Sequence, residues 1–500
     1  MKKYIYTLLL ITGLIFTSCE PEFTNPIGDD TYSSGDADFS NYVAVGNSLT
    51  AGYTNGTLYK SGQSMSFPKI LSEQMKLAGG GDFTQPYLDD DTHDVGGLTL
   101  LGNTILNPKL IINASQGTVE PINQMPTIEV SNIHPGPYNN MGVPGAKIYH
   151  LVAPGYGDLA NIALGKANPY YVRMASSTTA TVIQDAASQN PTFFTLWIGN
   201  NDVLSYATSG GTGTDQTGNQ NLNTYGPNDI TDPGVFSYLY QQFLDALTAN
   251  GAKGIVATIP DVASVPFFTT IPYNPIPLDD QNVVDALNNA YANYNAGIQL
   301  ALSNGLIDQD EADARTISFD MGANPMVMED EYLTDLSGLG LPSLRQTTDE
   351  DLIVLTAKSI IGTSDPNNPQ LINGLTIPLA DKWVLSKNEI ETVRAATSAY
   401  NASITSLADS KNLAVADMAA VMQKLHNKLV IDDGSVYTAD YFNGSNLDEL
   451  AFGLDGVHPN SRGYAIIANE FIKAIESKYN ANLPLVTPAN YPTITILPTN

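Results

Sequence analysis

Four short stretches of the chain are apolar without alternation: "YVAVGN" (42–47), "PTFFTLWIGNND" (191–202), "KGIVATIPDV" (253–262) and "LAVADM" (413–418). A strand with one wet face alternates. Continuous apolar runs of this length belong to strands buried on both faces, as in a parallel sheet. Between them the period changes. "QNVVDALNNAYANYNAGIQLALSNG" and "KNEIETVRAATSAYNASITSLADSKN" place apolar residues three and four positions apart, the spacing of a helix with one buried stripe. "PGVFSYLYQQFLDALTANG" closes on Asn-Gly, a helix stop, and "SRGYAIIANEFIKAIESKY" gives a final helix. Strands alternating with helices predict an α/β fold in three layers, α/β/α, with about five parallel strands and right-handed crossovers.

Three segments stand outside this pattern. Residues 79–135 and 203–232 are rich in Gly, Asn, Thr and Asp, and residues 306–385 carry short apolar runs of their own. Loops of that length are functional or form subdomains, so all three are read as insertions into one domain spanning 41–480. The last, 306–385, is expected to pack beside the sheet. Residues 481–500, with Pro and Thr spaced through them, read as an extended surface tail.

The N-terminal stretch "MKKYIYTLLLITGLIFTSC" has two lysines, an apolar run and small residues before Cys19. Residues 1–18 read as a secretory signal, too short for a membrane span. "FTSC" resembles the lipobox of bacterial lipoproteins, which implies that Cys19 is lipidated and becomes the mature N-terminus. Residues 19–40 are then a lipidated start and a flexible polar tether. The expected location is the bacterial cell envelope, at the outer membrane, held by lipid alone. Cys19 is the single cysteine, so no disulfide forms within the chain.

Charge removes one class of partner. The chain has 51 acidic against 22 basic residues and a net charge of −29, with no cluster of lysine and arginine, so nucleic acid is not a partner. Such a surface favours solubility and repels anions at long range.

The first strand run stops at Gly46-Asn47-Ser48. Alone, Ser48 reads as a helix cap, Asn201 and Asp202 as turn residues, and Asp455 with His458 as a loop pair. Together, four stretches in order resemble the blocks of the SGNH, or GDSL-type, esterases and lipases: "GNSLTAG" (46–52), "NMGVPGAKI" (140–148), "IGNND" (198–202) and "DGVHPNSRGY" (455–464). The resemblance implies a flavodoxin-like sheet and a hydrolase acting on esters. Ser48 would be the nucleophile, His458 its base, and Asp455 the group that orients and charges the imidazole. It implies an oxyanion hole from the backbone N–H groups of Ser48 and Gly145 and the side-chain amide of Asn201. Asn140, Gly142 and Gly199 would shape the loops. The chain departs from the family at Asn47, where Asp is usual, a change that touches only the bracing of the nucleophile turn.

No metal and no cofactor is expected. His93, His134, His150 and His426 have no carboxylate at ligand spacing, and "DDDTHD" (89–94) and "IDDGS" (431–435) fit no EF-hand loop. The substrate stays open among small esters, lipids and acylated sugars. The polar 203–232 loop favours a small or sugar-linked acyl group, whereas "VPFFTTIPYNPIPL" (265–278) is apolar enough to line an acyl pocket. Carbohydrate acetyl-esterase, lipase, and a binding lipoprotein without turnover remain as alternatives.

Overall fold

The computed structural model describes residues 32–90, 93–431 and 433–497. The signal, Cys19 and residues 19–31 of the expected tether lie outside them. The central sheet has five parallel strands: β1 (Tyr42–Gly46), β2 (Asn140–Gly142), β3 (Phe193–Trp197), β4 (Lys253–Ala257) and β5 (Ala414–Ala416), in the order β2-β1-β3-β4-β5. Every residue of β1 and β3 is buried, as their unbroken apolar runs require. The chain runs from β1 to the β2 edge and then back past β1 to β3. A crevice therefore opens at the carboxyl end of β1, where the two crossovers diverge.

Helices cover both faces. Immediately after β1 comes one helical turn, α1 (Ser48–Ala51). On one face α2 (Phe67–Leu77) meets the last helix: Phe67 stacks on Phe471 at 4.7 Å, and both rings contact Trp197 of β3. After β3 comes α3 (Asn201–Thr208). On the other face α4 (Pro233–Thr248) packs on α6 (Lys387–Ser410), with Phe236 stacked on Tyr400 at 4.2 Å. Asp232 caps α4 by accepting from the Val235 N–H, and Pro233 opens its first turn. Next to β5 lies α7 (Met418–His426), and α8 (Ser461–Tyr479) is the last helix.

Three boundaries differ from the sequence reading. The described end of the tether, residues 32–40, packs on the fold: Phe39 is 2% exposed, and Ser33 bridges to Asn482. The described part of the tail is extended at the surface, as read, and there Ile496–Leu497 pairs in parallel with Ile112–Asn113 of the first insertion. The second insertion starts after α3, near residue 209, because 201–208 are helical. The long helix α5 (Gln281–Ser303) belongs with the third insertion. Its polar side chains bind that segment: Tyr291 to the Leu375 carbonyl, Tyr294 to Leu344, and Asn288 and Asn295 to the backbone of Phe319 and Ile317.

Candidate active site

β1 delivers Ser48 to the crevice. Asn47, fully buried, accepts the Leu49 N–H at 3.0 Å and donates its amide to Asn200 Oδ1 at 3.1 Å. The turn after β1 is thus tied to the turn after β3. From the β2 side, Asn140 donates to the Thr50 carbonyl at 2.9 Å and accepts the Gly142 N–H at 3.0 Å. A Cβ on Gly142 would lie 2.3 Å from the Ala51 nitrogen, so the close approach of β2 to α1 demands glycine there.

The loop before α8 brings in the other two groups. Asp455 Oδ1 accepts the backbone N–H of Val457 (2.9 Å) and His458 (2.8 Å), and Oδ2 accepts the Gly56 N–H (2.8 Å). The same Oδ2 faces His458 Nδ1 at 3.2 Å, and His458 Nε2 lies 2.8 Å from Ser48 Oγ. The Tyr53 ring packs on the imidazole, centroids 4.5 Å apart. Burial raises the pKa of Asp455, but the His458 beside it and the donated N–H bonds outweigh burial and hold the carboxyl below the ordinary aspartate range. Ser48 is 5% exposed, open only to the crevice.

Gly145 and Asn201 are neighbours: the Asn201 amide donates to the carbonyl of Ala146 at 2.9 Å. Gly145 is exposed, has φ +78°, and has empty space where a Cβ would point. Among the described residues, neither the Ser48 nor the Gly145 backbone N–H has a protein acceptor. All five residues singled out by the sequence in this region, Ser48, Gly145, Asn201, Asp455 and His458, come from the carboxyl-end side of the sheet. Cys19 lies outside the described residues.

The sequence reading missed the support beneath them. Asp202, read as a turn residue, is fully buried and accepts the Ile148 N–H at 3.0 Å and the Thr231 hydroxyl at 2.7 Å. Burial pushes its carboxyl up to about 6, against the pull of Thr231, Lys147 and Ile148. Lys147, itself buried, donates to the Asp229 carbonyl at 2.6 Å. This pair pins the segment that carries Gly145. Only the neighbouring "ND" and "AK" signal it in one dimension, and neither is distinctive.

Several other titratable groups have structural partners. His150 Nδ1 accepts the Lys147 N–H and its ring stacks on Tyr156; burial lowers its pKa to about 4. Asp90 accepts the Asp94 and Val95 N–H groups, Asp94 binds Ser61 and Lys109, and Asp433 accepts the Ser435 N–H. Residues 91, 92 and 432 lie outside the described ones. Among the described residues no group of three or more His, Cys, Asp or Glu is placed to hold a metal ion.

Beside Ser48 and His458 an apolar cavity opens on the β3 side. Leu49, Trp197, Leu204, Val265, Met422 and Ile467 line it. Val265 comes from the apolar stretch 265–278, and Met422 from α7.

No protein-family model matches the chain, and no curated protein matches it. Among solved structures it is similar to LAE5, an alpha/beta hydrolase enzyme from the metagenome of Lake Arreo, Spain, at 10% identity and a TM-score of 0.31, covering 88% of this chain and 96% of that one. It is similar at the same identity, with a TM-score of 0.30, to a mutant of Axe2, an acetyl-xylooligosaccharide esterase from Geobacillus Stearmophilus, covering 88% of this chain and 95% of that one.

Proposed function

We propose that this chain is an exported, lipid-anchored ester hydrolase of the SGNH type, acting through an acyl-serine on Ser48. The observation that carries the reading is the continuous hydrogen-bonded line from Ser48 Oγ through His458 to Asp455. Neutral His458 takes the Ser48 proton through Nε2 as Oγ attacks the ester carbonyl. Asp455 holds Nδ1–H and balances the imidazolium. The free N–H groups of Ser48 and Gly145 and the Asn201 amide receive the oxyanion. Collapse expels the alcohol, which takes its proton from His458. Water then repeats the sequence on the acyl-serine. Each charge and proton in the scheme has a side chain or backbone N–H to serve it, so no cofactor enters.

Asn201 does not titrate, and its second amide N–H serves the transition state. Asn201→Ala is expected to lower kcat by about a hundred- to a thousandfold with KM little changed, and to keep the acid limb of the pH–rate profile. A raised KM with intact kcat would make Asn201 a ground-state contact instead.

The apolar cavity supports an acyl chain of several carbons over acetyl. Each buried methylene is worth about 0.8 kcal/mol, or roughly fourfold in kcat/KM. Hydrolysis of p-nitrophenyl esters should therefore climb from acetate towards medium chains until the cavity is full. Met422→Trp should flatten that climb and spare acetate. A maximum at acetate would favour the acetylated-sugar reading. No turnover of any ester, with no fluorophosphonate label on Ser48, would leave a binding lipoprotein. The anchor has its own test: Cys19→Ser should move the protein from membrane fractions to the soluble exported pool, and a wild type already soluble would remove the lipid from the reading.

A further inference from the structure

A second cavity, about 420 Å³, lies on the opposite side of β1 from the apolar one. Ala51 of α1 and Gly142 of β2 border it, together with Gln63, Tyr138, Tyr170 and Arg173. Arg173 sits on the short helix Pro169–Met174 and is 8% exposed. Its Nε donates to the Asn132 carbonyl at 3.3 Å. Among the described residues its two terminal nitrogens have no acceptor and no carboxylate pairs with it. The one acid on the cavity rim, Asp89, is bound by Lys60.

This is anomalous for the chain. Buried guanidinium groups are ordinarily paired, and the other two here obey the rule. Arg345 forms ion pairs with Asp330 and Asp351, and Arg315 with Glu311. With 51 acidic residues available, an arginine left without one, facing a cavity, has its paired oxygens to come from elsewhere. We propose that this cavity binds an anionic group, a carboxylate or phosphate on a small ligand, gripped by the Arg173 fork.

The fork geometry matches two oxygens of one such group. The tyrosines supply apolar faces for what the group is attached to. The site is also close to the proposed chemistry. The Tyr170 ring meets Tyr53 edge-on at 6.4 Å, and Tyr53 packs on His458. The anion therefore comes either on the alcohol part of the ester or as a separate molecule beside the site.

The test has a binding arm that does not depend on ester hydrolysis. Wild type and Ser48→Ala are titrated with inorganic phosphate and with acetate, glycerol serving as the neutral control, by calorimetry and by thermal shift. Both proteins should bind the anions saturably and glycerol not at all. Arg173→Gln should weaken the binding at least about tenfold, and Arg173→Lys, which keeps the charge and loses the fork, should fall between. The kinetic arm compares glycerol monobutyrate with the butyryl ester of glycerol 3-phosphate. Preference for the phosphorylated ester, erased by Arg173→Gln, places the anion on the substrate. Equal rates with anion binding intact make it a separate ligand. Wild type that binds neither anion and shows no preference between the esters overturns the proposal, whether or not the variants fold. So does Arg173→Gln that binds phosphate as wild type does.

Discussion

Ser48→Ala is expected to lower kcat for ester hydrolysis on the order of a millionfold, with stability changed by only about 1 kcal/mol, the value of one hydrogen bond. The rate loss is large because the hydroxyl is one part of a unit. Without Oγ no acyl-serine forms, so His458 never reaches the step in which it would activate water. The same logic makes His458→Ala nearly as severe, and the double variant no slower than either single one. The residual rate should be that of water attacking an ester held by the oxyanion donors. Activity within tenfold of wild type would mean that another group attacks, and labelling by a fluorophosphonate would then identify it.

Asp455→Asn is expected to lower kcat about ten-thousandfold. An amide at this position turns a donor towards Nδ1, which forces the proton onto Nε2, the nitrogen that must receive the Ser48 proton. The variant also loses the acceptor for the Gly56 N–H, and one unmet buried donor costs about 1–3 kcal/mol. The pH dependence of stability has a definite sign. The folded carboxyl sits below the unfolded value of about 3.9, so ionised Asp455 adds stability above that pH. The contribution disappears as pH falls through the lowered folded value. Melting temperatures from pH 7 to pH 2 should show this acid-side loss in wild type and less of it in Asp455→Asn. A variant with unchanged kcat would remove Asp455 from the proposed triad.

The strands that hold this site were legible because burial on both faces leaves unbroken apolar runs, as in Tyr42–Gly46 and Phe193–Trp197. β2 was not. Three residues beginning with a polar Asn140 carry no such signal, and they form a strand only because β1 offers a partner. Helix α5 was legible as a helix, but a 3.6-residue period reports that one face is buried and not against what. Residues 32–40 have the composition of a tether, yet two apolar side chains, Ala37 and Phe39, and a bridge to Asn482 suffice to fix them. Asp202 and Arg173 mark the same boundary within the site. What makes one a brace and the other an unpaired cation is the identity of groups tens of residues away.

The hydrogen bond between Ser48 and His458 joins positions 410 residues apart. A chain leaving the ribosome N-terminus first presents the proposed nucleophile long before its proposed base. Until the final helix and the loop before it have emerged and docked, Ser48 is an ordinary unreactive alcohol. On that mechanism, turnover reports that the segment carrying Asp455 and His458 has docked. On the proposed mechanism, fragments stalled or clipped before residue 455 carry the serine without its reactivity.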